Sequence, residues 1–144
     1  MLAVLLLLAY VVHSASPAKS GASWQGKPGL VTRDSDAAVY LVTVPNSEVA
    51  TNLSTGLVRS KTAACVNIVP NVRSVYMWDG ELQMDEEQVL IVKSRSELLP
   101  SIAAFLKANH PYDVPELIEL PIAAGSTDYL SFIRRSSSLP TLSQ

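Results

Sequence analysis

Cysteine, histidine, aromatic side chains and runs of one charge are all scarce in this chain of 144 residues. The single cysteine, Cys65, has no partner for an intramolecular disulfide, so the fold must rest on its core in any redox compartment. Lysine and arginine are scattered, the net charge is −2 and aromatics make up only 6%. No basic stripe interleaved with aromatics exists, which excludes a nucleic-acid partner. No Gly-x-Ser-x-Gly, phosphate-cradling glycine loop, Cys-x-x-Cys or His-Glu-x-x-His occurs. With no nucleophile and base to pair, the chain is expected not to be an enzyme.

What is present begins with one long apolar run. Leu2 to Val12 is uninterrupted but shorter than the roughly 20 residues that span a bilayer, and Val12-His13-Ser14 follows as a small-residue cleavage pattern. Residues 1–14 are therefore expected to be a signal peptide directing the chain to the secretory pathway, leaving no stable membrane span once removed. A presequence for an organelle lumen and an uncleaved anchor are the alternatives. Residues 15–37, rich in Ser, Gly, Pro and Lys without periodicity, suit a disordered linker.

From residue 38 a regular pattern takes over. Ala38 to Val44 is a buried-strand run, and Asn46 caps a helix whose apolar positions Val49, Leu53 and Leu57 recur at helical spacing. Ala63 to Val69 is a second strand, closed by Pro70-Asn71. Val72 to Trp78 alternates into Asp79-Gly80, a strong hairpin signal; Glu81–Met84 returns, and Gln88–Lys93 resumes as a strand. These limbs form a long hairpin with room for a bulge. Ser96 is expected to cap a second helix with a Leu99, Ile102, Phe105 and Leu106 stripe. Leu117–Ile122 is a last strand, Asp128–Arg135 a short helix, and 136–144 a polar tail. The order predicts an α+β fold: a ferredoxin-like, split β-α-β sandwich over residues 38–135, its antiparallel sheet covered by helices on one face.

Candidate chemistry concentrates between Asn109 and Pro121, where three prolines stiffen a polar connector. His110 is the only imidazole left to a mature chain. It is either an exposed histidine favoured by a helix C-terminus or, with Glu116 and groups from another subunit, part of a metal or anion site. Glu116 is otherwise a solvated carboxylate. Cys65 lies inside an apolar strand and is expected to be buried and inert. Lys93 ends a strand run either snorkelling or paired with a carboxylate. Tyr76 and Trp78 suit an interface or core. Asn52-Leu53-Ser54 fits a glycosylation sequon but falls within a helix, where it is expected to stay unused.

The run Ala63-Ala64-Cys65-Val66-Asn67-Ile68-Val69-Pro70, then Ser74-Val75-Tyr76 with Trp78-Asp79-Gly80, Lys93, His110-Pro111-Tyr112-Asp113-Val114-Pro115-Glu116 and Leu120-Pro121-Ile122 resembles the CutA family of divalent-cation tolerance proteins. The likeness covers about Val39 to Arg134. It implies a ferredoxin-like protomer and a homotrimer whose sheets join through the long hairpin. It also implies weak binding of copper or another divalent cation, none of it obligatory, at His110 and Glu116. The family's first-strand cysteine is Val42 here and its histidine pair is Asn109-His110, so the soft thiolate that selects copper is missing. Two functions follow. One is a trimeric copper or divalent-cation tolerance and response protein. The other is a small-ligand or assembly module with no physiological metal, using an intersubunit cleft of Cys65, Trp78, Lys93, Asn109, Tyr112 and Glu116.

Overall fold

A computed structural model describes residues 31–33 and 36–138. The expected signal peptide, most of the linker and the end of the tail lie outside those residues. Strands β1 (Val31–Arg33) and β2 (Ala37–Val44) precede helix α1 (Ser47–Arg59). Strands β3 (Cys65–Trp78) and β4 (Glu81–Arg95) form the long hairpin. A 3₁₀ turn over Ser96–Leu98 enters α2 (Leu99–Asn109), followed by β5 (Ile118–Pro121), β6 (Ala124–Ser126) and α3 (Thr127–Ser136). The main sheet runs β3-β4-β2-β5 and every neighbour pair is antiparallel. With β2, β3, β4 and β5 as its four strands, this is the ferredoxin-like β-α-β-β-α-β arrangement.

Alternation along β2 decides where the core lies. Ala38, Tyr40, Val42 and Val44 point to one face and pack, with Leu90 and Val92 of β4, beneath Ala50, Leu53 and Leu57 of α1 and Ile102 and Leu106 of α2. Tyr40 is wholly buried, and its hydroxyl donates to the Arg95 carbonyl at 3.0 Å, with the Ser96 carbonyl and Glu119 close by. Burial and the neighbouring Glu119 push that phenol well above its ordinary range. Helices α1 and α2 meet where Gly56 leaves room for Phe105; a Cβ on Gly56 would stand 2.5 Å from that ring. Helix α3 lies across the opposite face at one end, where Leu130 and Ile133 pack on Ala37 and Ala64.

Several expected boundaries are corrected. The two runs 63–69 and 72–78 are one strand with a bulge between Val69 and Val72, Asn71 taking the extra residue at φ 61°. The return limb is likewise continuous through Asp85–Glu87, because β3 supplies a ladder partner at each of those positions. Ser96 makes no side-chain cap; the chain tightens into the 3₁₀ turn, and Pro100 enters the first turn of α2 where its missing N–H costs little. Residues 31–33 are not free linker, since Val31 and Thr32 favour a strand and 124–126 offers one to pair with. Residue 37 already belongs to β2. The tail starts later than expected: Ser136 closes α3, and Ser137 is buried with its hydroxyl donating to the Ile133 carbonyl at 2.7 Å.

Candidate functional site

Pro111 stops α2. It forces His110 into extended backbone (φ −82°, ψ 140°), and the histidine amide closes the helix on the Leu106 carbonyl at 2.8 Å. The half-buried imidazole is then held at both nitrogens. The Tyr112 amide donates to Nδ1 at 3.1 Å, so Nε2 carries the proton and donates to the Thr43 carbonyl at 2.9 Å. The ring also meets Tyr112 edge-on, centroids 5.0 Å apart. His110 thus staples the connector to the end of β2 and aims Tyr112 across it.

Tyr112 reaches Glu87, the most buried acidic side chain described. Glu87 is 7% exposed, accepts from the Ser74 hydroxyl at 2.5 Å and from the Tyr112 hydroxyl at 3.1 Å, and no cation is paired with it among the described residues. Two hydroxyls therefore satisfy the carboxylate where water is scarce. One step along the ribbon, the Tyr76 hydroxyl donates to Asp85 at 2.6 Å. A cleft of about 580 Å³ opens beside Glu87, lined by Asn46 and Ser47 at the start of α1, Asn71 and Arg73 at the bulge, and Glu86. Sequence reasoning does not mark Ser74, Asp85 or Glu87 as site residues. Asp79-Gly80 sets the register that pairs Ser74 with Asp85, so the hydroxyl and acid row was legible in principle; the approach of Tyr112 was not.

Burial first, then the hydrogen bond and charge of Glu87, raise the Tyr112 phenol from 10 to about 12. The folded state holds this proton more tightly than the unfolded state. The contribution is present in full below pH 10 and is lost as pH climbs through about 12. In isolation such a rise is worth roughly 2.7 kcal/mol; a ring 38% exposed is screened, which leaves about 1 kcal/mol. Glu87→Gln is expected to lower the Tyr112 phenol part of the way toward its ordinary range, leaving the share that burial contributes, and to reduce this alkaline loss. Ultraviolet phenolate absorbance on Tyr112→Phe and Glu87→Gln proteins measures it; an unchanged titration in Glu87→Gln would show that Glu87 contributes nothing beyond burial.

The other candidate residues named from the sequence occupy separate places. Asn109 is exposed and its amide donates back to the Phe105 carbonyl at 2.7 Å. Glu116 is half-buried on the connector. Cys65 is half-buried rather than buried, and Lys93 is its ladder partner. The lysine amine donates to the Cys65 sulfur at 3.7 Å and to the Asn67 side chain, not to a carboxylate as one alternative expected. Trp78 stands 56% exposed at the hairpin tip, thirteen strand residues from Cys65 and hence on the order of 40 Å away at about 3.3 Å per residue. One protomer brings Cys65 to Lys93 and His110 to Tyr112, and leaves Trp78 apart from both.

A family model described as the CutA1 divalent ion tolerance protein matches residues 38–136. The chain belongs to the CutA1 family. It is 50% identical over 99 residues to the chloroplastic CutA protein of Arabidopsis thaliana, covering 69% of this chain and 54% of that one. Against the divalent-cation tolerance protein CutA of Thermus thermophilus it is 46% identical over 99 residues, covering 69% of this chain and 96% of the relative. The crystal structure of CutA1 from Oryza sativa matches the fold with a TM-score of 0.70 at 47% identity, over 72% of this chain and 94% of that one. The chain spans about half the length of the plant relatives it matches, 54% and 56%.

No group of three or more His, Cys, Asp or Glu side chains suited to an ion occurs among the described residues. Val42 is wholly buried in the apolar core. His110 could ligate only by giving up one of its two internal hydrogen bonds.

Proposed function

We propose that this CutA1 protein is a non-enzymatic divalent-cation tolerance and response protein that works as a homotrimer and binds copper or a similar ion weakly between subunits, near His110 and Glu116. The observation that carries the assembly is the ribbon beyond the bulge. Val75, Met77, Leu82 and Met84 share one side of it and are each 58–63% exposed in the protomer. A two-stranded ribbon with a bare apolar side is marginal in water and calls for a partner. Weak rather than tight ion binding follows from the loss of an internal bond at His110 and from the absence of a thiolate at Val42. The domain division proposed with this reading is a signal at 1–14, a linker, the folded unit and a short tail. Delivery to the secretory pathway or an organelle lumen accords with the chloroplastic label of the Arabidopsis relative. Equilibrium dialysis against Cu(II) tests the site. His110→Ala is expected to bind at least several-fold less copper than the parent, and equal binding by both would sink the assignment.

The second reading, a small-ligand or assembly module, draws on the cleft beside Glu87. Its polar lining and the paired hydroxyls on that buried carboxylate form a built surface independent of any metal. In an assembled trimer the same cleft would be joined by groups from the next subunit, including those carried on the ribbon with Trp78. Stabilisation by a small molecule that persists in chelator is the outcome that favours this reading over the first.

A further inference from the structure

Lys93 makes a contact within one protomer that neither reading explains. It stands on the side of the sheet opposite Leu90 and Val92, between Val39 and Cys65 in the ladder, where its neighbours are apolar or neutral. No carboxylate pairs with it among the described residues. Its amine is instead shared between the Asn67 side chain, two residues along β3, and the sulfur of Cys65 at 3.7 Å. Two features fix the pair. The β3–β4 register sets Cys65 opposite Lys93, and Asn67 holds the amine over the strand. Burial first, and then the neighbouring Cys65, raise the Tyr129 phenol of α3. Cys65 as a residue is only partly buried.

We infer that Cys65 and Lys93 form a reversible oxidative cross-link, a sulfur–nitrogen (sulfenamide) bond made when a peroxide oxidises the thiol. The chemistry has two steps. The Cys65 thiolate attacks one oxygen of hydrogen peroxide; the O–O bond breaks, hydroxide leaves and is protonated to water, and the sulfur becomes a sulfenic acid. The Lys93 amine, its proton given to solvent, then attacks that sulfur. The S–N bond forms as the S–O bond breaks and a second water leaves. In total one thiol, one amine and one peroxide yield one sulfenamide and two waters: sulfur is oxidised and peroxide reduced. A nearby nitrogen capturing a sulfenic acid in this way halts the climb to irreversible sulfinic and sulfonic acids. An external thiol reopens the bond, returning the amine and leaving a disulfide that exchange reduces. The link would lock β3 to β4 at the root of the hairpin on oxidation.

The test uses the full chain, folded, exposed to hydrogen peroxide and quenched, with intact mass and non-reducing peptide mapping. The expected product has lost two hydrogens, joins the Cys65 peptide to the Lys93 peptide, and is reversed by dithiothreitol. Peroxide treatment in denaturant should give only oxygen adducts on Cys65, because the register no longer presents the amine. Lys93→Arg, and Lys93→Gln as a second variant in case the first folds poorly, should lose the link and gain several-fold in labelling by a sulfenic-acid trap. Folded parent protein that gathers oxygen on Cys65 while Lys93 stays free overturns the inference. So does a link that forms equally well in denaturant.

Discussion

Leu82→Glu combined with Met84→Glu is expected to leave a folded monomer and abolish the proposed trimer. Both side chains are more than 60% exposed in the protomer, on the apolar side of the ribbon with Val75 and Met77. Replacing an exposed apolar residue by a carboxylate changes a monomer's stability by roughly 0.5 kcal/mol or less. In the proposed trimer the same positions would be buried. Each then forfeits roughly 1.5–3 kcal/mol of apolar transfer, and two unpaired carboxylates must in addition be desolvated at several kcal/mol each. A loss of at least about 5 kcal/mol per interface is more than three decades in association, since about 1.4 kcal/mol is tenfold. Size exclusion with light scattering and far-ultraviolet circular dichroism measure both halves of the expectation. A parent protein that runs as a monomer removes the proposed assembly altogether. A variant that stays trimeric moves the interface away from the ribbon.

Much of this architecture was legible in the sequence because local signals agreed with the global fold. Asn46 does cap α1, its side chain accepting from the Val49 amide at 3.0 Å, and Asp79 and Gly80 both take the positive φ that a tight hairpin turn demands. Pro70-Asn71 looked like the end of a strand because neither residue fits a ladder. The structure places them at a bulge, which spends one residue and lets the strand continue. β1 was missed because three residues carry too little pattern, and what makes them a strand is 124–126, more than ninety positions away. The site divides in the same manner. His110 and Tyr112 were visible as a stiff polar stretch, whereas Glu87 sat in an acidic run that reads as solvent-facing. Its burial depends on a tyrosine delivered by a connector 25 residues later. Long-range placement of this kind leaves no periodic trace.

Strand β4 carries core, site and ribbon in a single run, which makes their separability a sharp question. Leu90→Ala is expected to lower stability by roughly 2–5 kcal/mol. Leu90 is wholly buried, stands in the ladder between Val42 and Ile68, and packs into the cluster that both α1 and α2 cover. Truncation removes the transfer energy of the lost carbons and leaves a void that two helices and a sheet can close only in part. Against a domain's usual 5–15 kcal/mol this is a large share, and at about 4–8 °C per kcal/mol it lowers the melting temperature by on the order of 15 °C. Glu87 is only three residues away, yet it falls on the other side of the strand and its carboxylate is bound by Ser74 and Tyr112 rather than packed in the core cluster. The raised titration of Tyr112 should therefore survive in Leu90→Ala, just as Glu87→Gln should spare most of the melting temperature at neutral pH. Paired thermal and alkaline titrations at fixed protein concentration read both quantities. If Leu90→Ala also brought Tyr112 back to its ordinary range, core and carboxylate would be one cooperative unit, and the two faces of β4 could not be treated as separate.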